Sequence, residues 1–156
     1  MKKSLIIFMI IPVLIYGTES AKDRFMLMAK DYSKGKKIEY HEYETIPYAV
    51  FIGNDQKKTY FFASEYIIKV KGYSGNTNLA LEFDTQQKIQ TIAIISSQDT
   101  PAFIRKIERR TFLSQFTKSN EIQLVSGASI SCKAIKQIVK EVQRKADSII
   151  LLQSKK

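Results

Sequence analysis

Apolar residues recur along this chain with two periods, and the change from one to the other falls near residue 100. Leu79, Leu81 and Phe83 alternate with Ala80 and Glu82, the pattern of a strand with one buried face. Asp84 to Lys88 makes a tight connection, and Ile89 to Ile95 follows as the hairpin partner. Upstream, residues 47–53 (Pro-Tyr-Ala-Val-Phe-Ile-Gly) predict a strand closed by the turn Gly53-Asn54-Asp55. Thr59 to Val70 is rich in aromatic and β-branched side chains and predicts one or two further strands before the turn Gly72-Tyr73-Ser74-Gly75-Asn76.

Beyond residue 100 the spacing becomes helical. Phe103, Ile104 and Ile107 fall on one side of a helix, and Phe112, Leu113 and Phe116 repeat the pattern. Ile135, Ile138, Val139, Val142, Ala146, Ile149 and Ile150 form a single apolar stripe on a helix of about five to six turns. Residues 22–37 are polar and basic around Phe25-Met26-Leu27-Met28 and predict a leading helix or a loose arm. Strands first and helices later give an α+β fold, an antiparallel sheet with helices packed on one face and a long C-terminal helix. Tyr40, Tyr43, Tyr48, Phe51, Tyr60, Phe61, Phe62 and Tyr66 are expected to fill the core of that sheet. Residues 22–70 are needed to complete it, because the later hairpin alone is too narrow to cover the C-terminal stripe.

The first residues follow a different logic. Lys2 and Lys3 precede an apolar run from Leu5 to Tyr16 interrupted only by Pro12, and small or polar residues fill Gly17 to Ala21. This is the pattern of a cleaved signal peptide over residues 1–21, with the best-fitting cut after Ser20. The run is short for a membrane span, so a retained anchor is the lesser alternative. Residues 22–156 then form a single domain, expected to be extracytoplasmic, either periplasmic or secreted. No cysteine directly follows the apolar run to accept a lipid. The chain carries a formal net charge of +10, and removal of residues 1–21 takes two lysines and Glu19 to leave +9. Such a charge suits nucleic acid, an anionic membrane or an acidic protein. Export and the even spread of the basic residues argue against nucleic acid. Cys132, the single cysteine, has no intramolecular disulfide partner, and neither it nor His41 stands in a metal-ligand spacing.

The candidate chemistry lies just before the long helix. Ser126-Gly127-Ala128-Ser129-Ile130-Ser131 combines small residues and hydroxyls at a helix start, where backbone N–H groups can face a phosphate. Ser126 and Ser129 are equally good helix caps, so capping alone is the plain alternative. Cys132, on the first turn, is either a thiol activated by the helix N-terminus or a small buried apolar residue.

Two further elements precede this one in order. Gly72-Tyr73-Ser74-Gly75 leads into the hairpin with Asp84 and Lys88-Ile89, and Ser97-Gln98-Asp99-Thr100-Pro101-Ala102 precedes the first helical pattern. From Gly72 to about Val142 the chain resembles the FMN-binding domain of exported flavin-carrying subunits. These include the G subunit of Rnf complexes, the C subunit of sodium-pumping NADH:quinone reductase, and NosR-type regulators. The second and third elements resemble that family's Glu-Thr-Pro-Gly loop and its Ser-Gly-Ala-Thr flavinylation site.

The resemblance implies an FMN cofactor attached through a phosphoester to Ser129, installed by a separate flavin transferase that uses FAD. It implies that Ser126, Gly127, Ala128 and Ser131 surround the attachment point, and that Asp99, Thr100 and Pro101 lie near the flavin. Lys133 would add positive charge at the helix start, and one or two of the sheet aromatics would stack on the isoalloxazine. It further implies an extracytoplasmic electron-transfer carrier without catalytic residues of its own, whose partner is a redox protein or a membrane electron-transfer complex, with membrane association compatible. The alternatives are an exported non-redox binding module that kept the fold, and a flavin-dependent extracytoplasmic reductase. The chain departs from the family pattern at Gln123, where aspartate is usual, at Ala102, where glycine is usual, at Asp99 for glutamate and at Ser129 for threonine.

Overall fold

The computed structural model describes residues 20–118 and 121–155. The apolar run of the expected leader lies outside the described residues. Helix α1 (Ala21–Ser33) precedes strands β1 (Lys37–Tyr43), β2 (Ile46–Ile52), β3 (Lys58–Ala63), β4 (Thr77–Asp84) and β5 (Ile89–Ser97). Helix α2 (Pro101–Arg109), a 3₁₀ segment (Leu113–Thr117) and helix α3 (Ser129–Gln153) complete the chain. The five strands form one antiparallel sheet in sequence order, so every neighbour in the sheet is a neighbour in the chain.

Pleating divides the sheet into two faces. Tyr48, Val50, Tyr60, Phe62, Leu79, Leu81 and Phe83 point to one, where they meet Ile107 of α2 and the apolar stripe of α3. All seven stripe residues expected from the sequence are buried there. Apart from Ala146 they are β-branched, and each such residue costs a helix up to about 0.7 kcal/mol relative to alanine. Burial returns roughly 1.5–3 kcal/mol for each large apolar side chain, so packing decides the conformation. The helix is 25 residues long and starts at Ser129, about a turn longer than the stripe alone indicates.

The expectation of helices on one face holds for α2 and α3, whereas α1 covers the other. Phe25 and Ala29 are fully buried against Ala49, Phe51, Phe61, Ala63 and Ala80. Phe25 meets the rings of Tyr40, Phe61 and Tyr66 with centroids 5.5–5.9 Å apart. The leading segment is therefore a helix, not an arm. Ser20 caps it, accepting from the Asp23 backbone N–H at 3.1 Å while the Asp23 carboxylate accepts from the Ser20 N–H at 3.2 Å.

Two-sided cover also changes β4, which is buried on both faces and not half-buried. Glu82 sits under the α1 side, where Lys36 Nζ meets its carboxylate at 2.6 Å and Thr59 Oγ1 donates to it at 2.5 Å. Only one strand lies between Thr59 and Val70, because Ser64–Tyr66 turns as a 3₁₀ segment. The Ser64 hydroxyl accepts the buried backbone N–H of Leu79 at 2.8 Å and ties that turn to β4. Phe112 and Phe116 pack as expected, their segment being 3₁₀. Among the described residues, no helix is long and apolar enough to cross a membrane.

Candidate functional site

The three sequence elements converge at one end of the sheet, around a single carboxylate. Asp99 follows β5 and is 4% exposed. It accepts from the backbone N–H groups of Tyr73 at 3.0 Å, Ser74 at 2.9 Å and Thr100 at 2.7 Å. Two hydroxyls donate to it as well, Ser74 at 3.2 Å and Ser131 at 2.5 Å. One side chain thus joins the 72–75 turn, the start of α2 and the first turn of α3. Burial pushes this carboxyl up, but the donors Ser131, Ser74, Thr100 and Tyr73 outweigh it and hold the pKa at about 2. Asp99 is therefore an anion whose hydrogen-bonding capacity is spent inside the protein.

The glycines of the turn exist for proximity, not for a left-handed backbone. A Cβ on Gly72 would stand 2.0 Å from the Asp99 carboxylate, and one on Gly75 would stand 2.3 Å from the Gln98 carbonyl oxygen. Neither has positive φ. Ala102 lies inside α2 without positive φ, so the departure from glycine there carries no strain. Thr100 occupies the N-cap position of α2 without a capping bond, its hydroxyl lying 3.1 Å from that of Ser74, and Pro101 takes the first helical position.

At the start of α3 the capping alternative open to Ser126 and Ser129 is not taken up. Ala128 is the N-cap residue and has no side-chain oxygen to offer. Ser129 is the first helical residue and is exposed, while Ser131 is buried and bonded to Asp99. The backbone N–H groups of Ser129, Ile130 and Ser131 are the orphan donors of the helix start and meet no acceptor among the described residues. Gly127 is left-handed, with φ +73°. Cys132 is fully buried and burial pushes its thiol up, so the apolar alternative holds.

A shallow cavity of about 230 Å³ lies over this start, lined by Tyr73, Phe103, Gly127, Ala128, Ser129, Ile130 and Ser131. Tyr73 and Phe103 meet edge to face with centroids 5.1 Å apart, and Tyr73 and Ile130 are 59% and 53% exposed. Ser126 faces a second cavity of about 190 Å³, with Arg110, Gln115, Gln123, Leu124 and Val125. Gln123 is held there by its backbone, donating to the Gln115 side-chain oxygen at 2.8 Å and accepting from its amide at 3.2 Å. The sheet aromatics do not line either cavity.

Residues 72–143 match the family model of the FMN-binding domain. This chain carries an FMN-binding domain. No curated protein matches the chain. FMN is the cofactor of the domain, and the donor set at the start of α3 fits it. Unpaired N–H groups and the positive end of the helix dipole suit its phosphate, and the surface made by exposed Tyr73 and Ile130 with half-buried Phe103 suits a planar ring. The shared surface of these residues escapes a reading by motif, because no spacing along the chain links them to one another. Lys106 escapes it too: its Nζ stands 2.9 Å from where a Cβ on Gly127 would lie, although the two residues are far apart in sequence. Lys133, the cation expected from the sequence, is exposed on the outer side of α3, one turn after Ser129.

Proposed function

We propose that this FMN-binding domain is an exported electron carrier that holds FMN through a phosphoester on Ser129. One observation carries the reading. Ser129 presents an exposed hydroxyl at the first position of α3, beside unpaired N–H groups and free of capping, while Ser131 is buried against Asp99. In the attachment step Ser129 Oγ forms a bond to the FMN-side phosphorus of FAD. The pyrophosphate P–O bond breaks, AMP leaves, and the serine proton passes to a base of the flavin transferase. The resulting diester would carry one negative charge, and the N–H groups of Ser129, Ile130 and Ser131 would hold it.

Around that point Gly127 and Ala128 leave the transferase room to approach and Ser126 opens the neighbouring cavity, while Thr100 and Pro101 start α2 beside Asp99 and line neither cavity. Asp99 and Ser131 serve by position, fixing the turn, the loop and the helix start relative to each other. FMN supplies the redox chemistry, and the protein supplies position and electrostatics. The exposed apolar surface at Tyr73 and Ile130 supports docking of a redox protein or membrane electron-transfer complex at the site. The positive net charge favours an acidic partner. The basic and apolar pattern of residues 1–21 supports an extracytoplasmic location, with membrane association arising through the partner complex.

The test is intact mass and in-gel flavin fluorescence of protein co-expressed with a flavin transferase and exported, with Ser129→Ala and Ser126→Ala beside it. The expected result is one FMN ester on the parent and on Ser126→Ala, and none on Ser129→Ala. Yellow protein without added mass would mean FMN held without a bond. Protein without mass or colour would overturn the carrier reading and favour the non-redox binding module.

A further inference from the structure

We propose that Lys106 is the counter-charge for the phosphate of FMN. The assignment rests on the phosphate lying at the start of α3. Lys106 projects from α2 on the flank that faces the Gly127 loop, because Ile107 is fully buried and Phe103 and Ile104 pack beneath the helix. Its ammonium occupies the space beside Gly127, 2.9 Å from the position of a Cβ. No carboxylate forms an ion pair with it among the described residues. Lys106 is exposed, so its ammonium is free to turn onto an anion beside Gly127. A phosphate at the unpaired N–H groups two residues away supplies the missing charge.

Competing cations sit elsewhere. Lys133 stands on the outer ridge of α3 with Lys136 and Lys140, and Arg110 lines the cavity of Ser126. Gly127 answers a backbone demand, since its left-handed φ needs a residue without a Cβ penalty, and it leaves the loop open beside the ammonium. A charge-assisted contact between an exposed ammonium and a phosphate is worth about three- to tenfold in affinity, and salt weakens it.

The experiment compares FMN with riboflavin, which has the same ring and lacks the phosphate. Both are titrated by fluorescence quenching into the Ser129→Ala protein, in which attachment is blocked, and into its Lys106→Gln and Lys106→Arg derivatives. The expected result is that Lys106→Gln weakens FMN about three- to tenfold and leaves riboflavin unchanged, that Lys106→Arg restores part of the loss, and that high salt removes the difference. An unchanged ratio of FMN to riboflavin affinity in Lys106→Gln, or an equal weakening of both, would overturn the role of Lys106 while leaving the flavin site in place. A Ser129→Ala parent that binds neither flavin would remove the site itself, and the role of Lys106 with it.

Discussion

Asp99 and Ser131 are 32 residues apart in the chain and joined by a 2.5 Å hydrogen bond, the serine hydroxyl donating to the carboxylate. The bond fastens the start of α3 to the loop after β5, and the same carboxylate fastens the 72–75 turn. The sequence resemblance places Asp99 near the flavin. The structure adds a further duty, because its donors are all internal and it lies beneath the surface on which the small-residue loop is exposed.

Asp99→Asn should therefore destabilise the fold, by about 2 kcal/mol at neutral pH, since an amide directs N–H against donors that need an acceptor. The carboxyl is held at about 2, below its ordinary 3.8. Its contribution is complete above about pH 4 and is lost as the pH falls toward 2. Urea unfolding of parent and variant across that range should show the gap between them closing on the acid side.

Gly75→Ala should cost about 1–3 kcal/mol through overpacking, because its Cβ would meet the Gln98 carbonyl, which is backbone and cannot step aside. Gly53→Ala is the control. Its nearest neighbour would be the Asp55 carboxylate at 2.7 Å, the end of an exposed side chain that can turn away at the cost of a surface contact with Lys57. Thermal unfolding should separate the two variants clearly.

The β1–β2 hairpin turns through Glu44 and Thr45, both with positive φ, at 48° and 71°. A β-branched residue is strained there, and a two-residue turn of this kind favours glycine at its second position. The turn belongs to the β1 edge of the sheet, whereas the candidate site adjoins β5 at the other edge. Thr45→Gly should therefore raise stability by about 1 kcal/mol and leave flavin uptake as it was. A higher midpoint in urea with equal flavin content would show this.

Phe25→Ala should remove about 3–5 kcal/mol, the loss typical of a fully buried phenylalanine. Its neighbours belong to the α1 face and the candidate site belongs to the other. Where the variant remains folded in stabilising salt, it should still take up flavin, as colour per mole of protein would report.

How much of this was legible in the sequence depends on whether the signal was local. The α3 stripe was readable because apolar residues at three- and four-residue spacing have one simple explanation. Strand β1 was hidden: Ile38 and Tyr40 face α1, but charged residues and His41 alternate with them and the edge position leaves the strand only partly buried. The leading helix had a weak apolar face, so its conformation was open until Phe25 found the rings of the sheet. At the site, the small-residue motif was visible, but the capping role open to its serines is not taken up, since Ala128 holds the cap position. Nothing local marked Lys106, or set Tyr73 against Phe103. Their meaning comes from loops brought together by the fold, which spacing along the chain does not encode.

The sheet and α3 also impose an order in time. Strands in chain order can pair as soon as each hairpin is made, yet the broad apolar face formed by Tyr48, Phe62, Leu79, Leu81 and Phe83 is covered mainly by residues 129–153. Until that segment is synthesised the face has only Ile107, Phe112 and their neighbours to close against, and the core stays incomplete. A chain built this way completes its core only after α3 has followed the sheet, a habit suited to the threading through a narrow translocation pore that the proposed export requires.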